Sequence, residues 1–525
     1  MPPEPSSRPV SQPSPQPLNV ADLARHAAGV APDRVAFVDG ERSLTWAELD
    51  ADADRVAAAL AGLRLEAGAR VCLVLGNTLA FPVAYFGVLR AGLVAVPVNP
   101  ANTPRELAHV FEDSAAAVVL SGPSALADVE AALPITGAPI VVGVDGARPS
   151  SGLVLDELPA GQGAPEAARG GEDLAVLMYT SGTSGRPRGA MLSHRALLAD
   201  LEHVGRIEPS PTSPDDVVLL VLPLSHVFGL STGLGMVARA AATGVLVDRF
   251  SAEATAALVR EHGVTNLVGV PTMYQAWCEV PGISEAFASV RLAVSGAAPL
   301  PVGVLRRFHT RAGHLVYEGY GLTETAPSVT STLCSFEPKA GSVGRPVPGV
   351  EVVLVDRSGA EVDSDDAGEV RVRGANLFSG YWPDGADGPD EAGWWSTGDV
   401  AVADEAGDLT LVGRRTELIL VSGFNVYPRE VEAVLALHPD VLEVAVVGIP
   451  HPYTGSAVQA FVVLRPGSSP DAEALRTHAA RLLARFKCPT AIEFVESLPH
   501  TATGKVAKGR LRETPAPPAT AVPDE

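Results

Sequence analysis

Short apolar runs alternate with segments of helical spacing along the chain from about residue 19 onward. Residues 47–63 and 82–90 place apolar side chains on one helical face, whereas 70–75 and 94–98 are continuous apolar runs. Spacing of this kind predicts helices in the first case and buried strands in the second. Further strands are predicted at 217–222, 243–247, 266–270 and 291–295. Repeated strand–helix alternation predicts an α/β fold with layered, mostly parallel sheets.

The pattern changes toward the C-terminus. Residues 343–372 contain short strands interrupted by glycine and aspartate, which predicts a β-rich subdomain. Beyond residue 414 the strand and helix signals of a separate segment begin, at 444–447, 460–464 and 471–483. The predicted organisation is a tail at 1–18, a large multi-subdomain N-terminal domain at 19–413, a hinge at 414–417, a small α+β C-terminal domain at 418–513 and a tail at 514–525. Proline and small residues dominate both tails, which predicts disorder.

Composition and charge argue against several classes of function. A formal net charge of −22 disfavours nucleic-acid binding and adhesion to anionic membranes. The 4 cysteines are widely spaced and lack the pairing of a zinc site, which is typical of a reducing cytoplasm. The apolar window at 83–98 is interrupted by Arg90 and is too short for a membrane span. We therefore expect a cytoplasmic protein with no nucleic-acid partner and no stable membrane insertion, and the N-terminus lacks a signal-peptide pattern.

The most informative stretch is residues 179–189, YTSGTSGRPRG, which follows an apolar run at 174–179. Glycines allow backbone N–H groups to converge on an anion, hydroxyls donate further hydrogen bonds, and arginines add positive charge. These properties predict a polyphosphate-binding loop. A flexible linker is the alternative, but linkers rarely combine hydroxyl residues with two arginines. The loop is not the ordinary nucleotide P-loop, because no Gly-Lys-Ser/Thr follows.

A second polar motif is YEGYGLTET at residues 317–325. It offers an aromatic ring for stacking on a base, a hydroxyl for a phosphate and the Glu324 carboxylate for Mg²⁺. Because Mg²⁺ is usually held by few protein carboxylates together with substrate phosphates, one glutamate is sufficient. A glycine-containing turn with a solvated glutamate is the alternative interpretation.

These motifs and several others, in this order, resemble the adenylate-forming superfamily of acyl-CoA synthetases, peptide-synthetase adenylation domains and luciferases. The others are LPLSHVFG at 222–229, SGAAPL at 295–300, WSTGD at 395–399, GRRTE at 413–417, VSGFNVYPREVE at 421–432 and LPHTATGK at 498–505. The resemblance covers nearly the whole chain. It implies Mg²⁺, ATP and CoA as cofactors and substrates, a small carboxylic acid as partner, and a mobile C-terminal domain. It leaves a homodimer open.

The resemblance implies an ATP site in which Tyr320 stacks on adenine and Thr323 contacts the α-phosphate. Glu324 would hold the metal, with Thr180 as a second contact. The other residues implied to bind ATP or AMP are Ser181, Gly182, Thr183, Ser184, Gly185, Arg188, Gly296, Ala297, Ala298, Gly321, Asp399 and Arg414. Within this set, residues 296–298 would line the adenine, and Asp399 with Arg414 would bind the ribose.

The implied catalytic residues are Lys505, Thr323, Glu324 and His226. Lys505 would reach the α-phosphate and the acyl carboxylate, where a cation stabilises charge that moves onto the leaving pyrophosphate. His226 would lie at the carboxylate end of an acyl pocket, although a purely structural histidine is the alternative. The other implied members of this pocket are Phe228, Gly296 and Gly321.

Ser422 and Gly423 would contact CoA in the second half-reaction, since a glycine leaves room for the pantetheine arm. Thr416 occupies the hinge position. Three positions depart from the common pattern. Arg188 replaces a usual lysine, Thr416 a usual aspartate or lysine, and Ser456 a frequent glutamate. The departures at 188 and 416 bear on rate and domain motion more than on reaction type.

The predicted function is a two-step ligase reaction. A carboxylate attacks the α-phosphate of ATP to give acyl-AMP and pyrophosphate, and the CoA thiol then displaces AMP. Gly321 stands where acetate-activating relatives carry a tryptophan, so we expect an open tunnel and a medium- or long-chain fatty acid. Three alternatives stay open: an aryl or branched acid, transfer to a carrier-protein phosphopantetheine, and a catalytically weak nucleotide-binding homologue.

Overall fold

Strands and helices alternate along most of the chain in a computed structural model, which describes residues 19–136, 139–159, 169–180, 187–422, 424–451, 453–500 and 506–512. The strands, in chain order, are β1 Val35–Asp39, β2 Arg42–Thr45, β3 Arg70–Val74, β4 Val94–Val98, β5 Val118–Ser121, β6 Ile140–Gly143, β7 Leu174–Thr180, β8 Arg188–Ser193, β9 Val217–Leu220, β10 Thr243–Leu246, β11 Asn266–Gly269, β12 Leu292–Ser295, β13 Val316–Gly321, β14 Ser328–Ser331, β15 Arg345–Pro346, β16 Val350–Val355, β17 Ala367–Gly374, β18 Trp394–Ala403, β19 Leu409–Arg414, β20 Ile419–Val421, β21 Phe424–Val426, β22 Val441–His451, β23 Gly455–Leu464 and β24 Ala491–Phe494. The helices are α1 Asp22–Val30, α2 Trp46–Gly62, α3 Ala80–Arg90, α4 Pro104–Asp113, α5 Leu126–Thr136, α6 His194–Gly205, α7 Met236–Ala240, α8 Ala252–His262, α9 Pro271–Trp277, α10 Ile283–Ala286, α11 Val302–Ala312, α12 Pro428–Leu435, α13 Ala472–Ala480 and α14 Lys508–Arg512.

The first layered sheet has six strands in the order β6-β5-β3-β4-β7-β8. Its neighbouring strands are parallel except for the last pair, β7 and β8, which form an antiparallel hairpin. In the sequence, helix α2 separates β2 from β3, and helix α3 separates β3 from β4, as expected for strand–helix alternation. The strands predicted at 70–75 and 94–98 and the helices predicted at 47–63 and 82–90 are confirmed.

The second layered sheet has nine strands in the order β15-β14-β13-β12-β11-β9-β10-β1-β2. The strands from β13 to β1 are parallel, and antiparallel strands extend the sheet at both edges. Strands β9 to β12 are the four predicted between residues 217 and 295, so this part of the prediction is confirmed. Parallel strands buried on both faces read as continuous apolar runs, which is why they could be found in the sequence.

Two smaller sheets follow. Strands β16 to β19 form an antiparallel four-stranded sheet, which confirms the β-rich region and extends it to Arg414. The last sheet contains β20 to β24, with α12, α13 and α14 nearby in the chain, and it has the expected α+β character. The predicted tails lie outside the described residues. The domain boundaries and the hinge stay predictions.

Helix α6 connects two segments that carry site residues. Ser193 caps the helix by accepting the Ala196 N–H at 3.2 Å. One turn further on, Asp200 is fully buried and accepts hydrogen bonds from the Ser231 hydroxyl at 2.8 Å and the Ser328 N–H at 2.9 Å. Burial raises the pKa of Asp200 to about 7, although both hydrogen bonds lower it. Ser231 lies in a π-helix at Phe228–Gly235, and Ser328 begins β14, so one carboxyl group holds both segments.

Across the ranges that the structure describes, every helix is too short or too polar to cross a membrane.

Candidate active site

The predicted phosphate-binding loop connects the two strands of the β7–β8 hairpin. Thr180 at the end of β7 pairs with Arg188 at the start of β8. The predicted strand before the loop is confirmed as β7. Ser181, Gly182, Thr183, Ser184 and Gly185 lie outside the described residues. Thr180 and Arg188 therefore mark the two ends of the loop.

The candidate adenine edge begins where β12 ends, at Ser295. Gly296 is buried, and Ala297 has a φ of +65°, a left-handed conformation that non-glycine residues seldom adopt. Ala298, the third predicted member, is partly buried. The Leu300 N–H donates to Glu318 Oε1 at 3.0 Å, which attaches this turn to the neighbouring strand β13. The turn is thus held in one conformation at the carboxyl end of the parallel strands, where ligands of open α/β sheets bind.

Glu318 is a site-forming residue to which the motif analysis assigned no role. Its side chain is 6% exposed, and burial raises the pKa of its carboxyl group to about 7. A charged residue within the otherwise aromatic and glycine-rich strand β13 was the available signal. Because its carboxylate accepts the Leu300 N–H, Glu318 positions the 296–300 turn against the strand that carries Tyr320.

Tyr320, Asp399 and Arg414 converge on one hydrogen-bonded group. Asp399 is 4% exposed and accepts the Tyr320 hydroxyl at 2.8 Å and Arg414 Nε at 3.1 Å. Asp399 and Arg414 are direct cross-strand partners on β18 and β19. Burial and the adjacent Asp399 carboxylate raise the pKa of Tyr320, so its hydroxyl stays protonated and acts as the donor. Three residues predicted from separate motifs are therefore brought together.

The turn after β13 carries Thr323 and Glu324. The Thr325 hydroxyl donates to the Leu322 carbonyl at 3.0 Å and accepts the Leu322 N–H at 3.0 Å, which closes the turn. Glu324 is 8% exposed, and its Oε1 accepts the Tyr381 hydroxyl at 2.5 Å. The Glu324 carbonyl accepts the Phe378 N–H at 2.9 Å. The segment that contains Phe378 and Tyr381, which is distant from Glu324 in the sequence, therefore orients the Glu324 carboxylate.

Tyr381, which lies outside the sequence motifs, connects Glu324 with Arg188 at the end of the predicted phosphate-binding loop. The Arg188 guanidinium lies over the Tyr381 ring, 3.8 Å from the ring centroid, and Arg188 Nη2 pairs with Asp387 Oδ2 at 2.8 Å. Burial and the Glu324 charge raise the pKa of the Tyr381 phenol, so it remains a donor. The Tyr-Trp-Pro sequence at 381–383, in a chain with 5% aromatic residues, was the available signal.

These residues fit a magnesium ion. Among the described residues, groups of three or more His, Cys, Asp or Glu side chains that could enclose a metal are absent. One nearly buried carboxylate, connected through Tyr381 to Arg188 at the end of the predicted phosphate-binding loop, matches the preference of Mg²⁺ for few carboxylates plus substrate phosphate oxygens. Glu324 is the fitting ligand, and Thr180 lies at the start of the adjacent loop.

The predicted acyl-pocket residues His226, Phe228 and Gly296 are adjacent. His226 Nδ1 accepts the Phe228 N–H at 3.2 Å, so a neutral ring carries its proton on Nε2. A Cβ atom on Gly296 would lie 2.9 Å from Cζ of Phe228, which shows that the phenyl ring covers this glycine. Beside them, the π-helix packs closely against strands β9 and β11 and leaves no room for a water molecule. The residues at this contact are Leu219, Leu220, Leu222, Gly229, Gly233 and Val268.

A Cβ atom on Gly321 would lie 1.8 Å from the carbonyl oxygen of Pro327, so backbone occupies the direction in which a side chain would leave this residue. Strand β13 turns back at this point against the segment that leads into β14. The expectation that Gly321 leaves the acyl tunnel open stays a prediction.

The remaining predicted residues belong to the C-terminal part. Thr416 is exposed in a 3-10 turn at Arg415–Glu417, and Ser422 has a φ of +50°. Gly423 and Lys505 lie outside the described residues. Lys508 pairs with Glu432 at 2.7 Å and with Glu417 at 3.4 Å, so the helix that follows Lys505 contacts the turn that contains Thr416.

Family models match both parts of the chain. The model described as AMP-binding enzyme matches residues 24–382, and the model described as AMP-binding enzyme C-terminal domain matches residues 430–505. A long-chain-fatty-acid–CoA ligase of Salmonella typhimurium is 36% identical over 531 residues and covers 94% of each chain.

Solved structures share the fold over the same length. ATP-bound MatB from Rhodopseudomonas palustris has a TM-score of 0.87 and 33% identity, covering 94% of this chain and 99% of its own. A benzoate CoA ligase from Burkholderia xenovorans LB400 has a TM-score of 0.83 and 30% identity, covering 94% of this chain and 100% of its own.

Proposed function

The chain belongs to the family of AMP-binding enzymes, and we propose that it is an AMP-forming acid–thiol ligase that converts a medium- or long-chain fatty acid to acyl-CoA. ATP and CoA are the substrates of the CoA ligases in this family. The observation that carries the proposal is the contact of Asp399 with both Tyr320 and Arg414, beside the strand that leads to Glu324. It assembles a nucleoside site from three motifs that are distant in the sequence.

Asp399 binds the ribose in this proposal. An ionised carboxylate has about four lone-pair positions, so acceptance from Tyr320 and Arg414 leaves capacity for the ribose hydroxyls. Arg414 pairs with the carboxylate as a permanent cation, since an arginine does not lose its proton in proteins. The Tyr320 ring, anchored at its hydroxyl, provides a flat apolar face for adenine next to residues 296–298.

Glu324 holds Mg²⁺, and Arg188 and Thr180 flank the triphosphate. Bound Mg²⁺ neutralises charge on the phosphate oxygens. Thr323, directly before Glu324, donates to the α-phosphate. Lys505 supplies a cation to the same phosphate as charge moves onto pyrophosphate.

His226 orients the acyl carboxylate. Since its Nδ1 accepts the Phe228 N–H, the neutral imidazole carries its proton on Nε2. Attack of that carboxylate on the α-phosphate releases pyrophosphate and forms acyl-AMP. The acyl carbon then carries AMP, a good leaving group, in place of a carboxylate oxygen, which is a poor one. Ser422 and Gly423 admit the CoA thiol, and Thr416 lies at the hinge between the two steps.

The acyl class rests on relatives named long-chain-fatty-acid–CoA ligase, which align over most of the chain. A cytoplasmic location remains the expectation from the sequence. Whether the protein forms a homodimer remains open.

The decisive experiment is a panel of carboxylic acids assayed by AMP release with and without CoA. We expect the highest kcat/KM for unbranched fatty acids of medium or long chain, and acyl-CoA as product. A preference for benzoate-like or branched acids would contradict the acyl class. Turnover only with a phosphopantetheinylated carrier would contradict CoA as acceptor, and the absence of ATP–pyrophosphate exchange with every acid would contradict the ligase function.

A further inference from the structure

We propose that Tyr381 is the positioning residue of the metal site: its hydroxyl orients Glu324, and its ring transmits the position of Arg188 to that carboxylate. The proposal rests on the proposed function for the role of Glu324. Two contacts carry it, namely the hydrogen bond from the Tyr381 hydroxyl to Glu324 Oε1 at 2.5 Å and the stacking of Arg188 at 3.8 Å from the ring centroid.

The backbone holds Tyr381 firmly. Its N–H donates to the Ala386 carbonyl at 2.9 Å, and the following Trp382 N–H donates to the Gly189 carbonyl of β8 at 2.8 Å. A Cβ atom on Gly380 would lie 2.0 Å from the carbonyl oxygen of Gly385, so only glycine fits the tight turn that precedes the tyrosine. The segment therefore runs along β8 and points the Tyr381 ring at the end of the phosphate loop.

Two side chains contact the ring. Phe378 contacts it edge-on at a centroid distance of 5.1 Å, and the Arg188 guanidinium lies over it. Held by these contacts, the ring has little freedom to rotate. Its hydroxyl consequently selects one orientation of the Glu324 carboxylate.

The hydrogen bond leaves the metal-binding capacity of Glu324 intact. The phenol occupies one lone pair of Oε1, and Oε2 remains available for a cation. Partners that orient a metal ligand in this way contribute to affinity, and their loss typically costs about 10–100-fold in metal binding. Tyr381 belongs to this class of partner, because its hydroxyl contacts the carboxylate of the proposed metal ligand Glu324.

Arg188 adds the connection to the loop. Its planar guanidinium can stack on Tyr381 and pair with Asp387 at 2.8 Å at the same time, whereas a lysine ammonium cannot reproduce both contacts. The arginine that departs from the common pattern is thus in direct contact with the tyrosine that holds Glu324. We expect the substitution Arg188→Lys to affect metal binding through Tyr381.

The test measures the affinity of the site for Mn²⁺, which, like Mg²⁺, prefers octahedral coordination by oxygen atoms. Binding of Mn²⁺ to the enzyme with ATP and no acid is followed by electron paramagnetic resonance, and ATP binding without metal is followed by calorimetry. Tyr381→Phe, which retains the ring, should lower Mn²⁺ affinity about tenfold while ATP affinity without metal and the thermal midpoint stay unchanged. Unchanged Mn²⁺ affinity would overturn the proposal, as would an equal loss of metal-free ATP binding together with a lower midpoint.

Tyr179→Phe is the matched control. Tyr179 also donates to a carboxylate at 2.5 Å, Asp113 Oδ2, and it lies on β7 of the same hairpin. In this variant, Mn²⁺ should increase the affinity for ATP by the same factor as in the wild type. A loss as large as that of Tyr381→Phe would mean that any phenol–carboxylate contact near the loop has this effect, which would overturn the assignment.

A double-mutant cycle tests the connection to Arg188. Arg188→Lys should weaken Mn²⁺ binding less in a Tyr381→Leu background, which lacks the ring, than in the wild type. Additive losses would contradict the connection. Since these measurements need only ATP and a cation, a failure of the proposed ligase reaction would leave them interpretable.

Discussion

At the scale of single residues, the candidate site depends on a few buried polar groups whose partners come from other segments. Asp399 accepts from Tyr320 and Arg414, and Glu324 accepts from Tyr381. Hydrogen bonds to charged groups are worth about 1.5–3 kcal/mol each, and an unpaired buried carboxylate costs more. Substitutions at these positions should therefore change ligand binding before they change the fold.

Asp399→Asn should raise the KM for ATP. The amide keeps the shape but loses the charge that pairs with Arg414 and one acceptor position for the ribose. A loss of about 1.5–3 kcal/mol corresponds to about tenfold or more in KM, measured by AMP release. Glu369→Gln is the control, because Glu369 pairs with the largely exposed Arg415 at 2.9 Å on the same sheet. A KM for ATP that rises equally in both variants would contradict the ribose assignment.

Gly296→Ala should lower kcat/KM for the fatty acid. The new methyl group would come within 2.9 Å of the Phe228 ring, and overpacking typically costs about 1–3 kcal/mol. The double variant Gly296→Ala/Phe228→Ala should recover much of the loss, because the ring that clashes is gone. An absence of recovery would mean that Phe228 does not border the acyl pocket.

At the scale of elements, the site is assembled where helix α6, the π-helix and the β13–β14 hairpin meet. Asp200 joins them by accepting from Ser231 and Ser328. Burial raises its pKa from the ordinary value of 3.8 to about 7. The carboxyl group therefore binds a proton in the folded state over a pH range in which the unfolded chain releases it.

Asp200→Asn should become more stable relative to the wild type as the pH rises. A raised folded-state pKa contributes stability that is fully present below about pH 4 and is lost as the pH rises to about 7. An amide does not titrate, so the variant avoids this loss, which amounts to at most about 4 kcal/mol for a shift of this size. Urea midpoints at pH 5 and pH 8 measure it. A difference between variant and wild type that does not change with pH would contradict the assignment.

At the scale of the whole molecule, the two half-reactions are expected to use different faces of the C-terminal domain. Helix α14, just beyond Lys505, contacts Glu417 in the turn that contains Thr416. Arg415 of the same turn pairs with Glu369 of β17 at 2.9 Å. The turn thus connects the four-stranded sheet with the segment that carries the predicted catalytic lysine.

Lys505→Ala should abolish acyl-AMP formation and spare thioester formation from supplied acyl-AMP. A cation is needed where charge builds on phosphate, and loss of one such contact typically costs roughly 10²–10³-fold. ATP–pyrophosphate exchange measures the first step, and acyl-CoA formed from acyl-AMP measures the second. An equal decrease in both would mean that the lysine is structural.

Gly423→Leu should have the opposite effect. A bulky side chain would occupy the path of the pantetheine arm, so pyrophosphate exchange should remain while transfer to CoA stops. Wild-type transfer rates in this variant would remove Gly423 from the CoA site.

Local pattern was sufficient for the elements and for the reaction class. Strands β3, β4 and β9 to β12 were predicted because buried parallel strands are continuous apolar runs, and α2 and α3 because their apolar residues recur at helical spacing. The phosphate loop, the Tyr320 motif and Asp399 were recognised because each is a short contiguous motif. The sequence by itself therefore determined the α/β fold, the family and most of the candidate residues.

Only the tertiary structure decided how those residues meet. Tyr381 and Glu324 are 57 positions apart, and Tyr320 and Asp399 are 79 apart, so no local signal connects them. The direction of the missing side chain at Gly321 was likewise invisible, because it depends on where the backbone of Pro327 packs. Periodicity and motifs report what neighbours along the chain have in common, whereas side-chain direction and contacts between distant segments are set by packing, which exists only in the folded molecule.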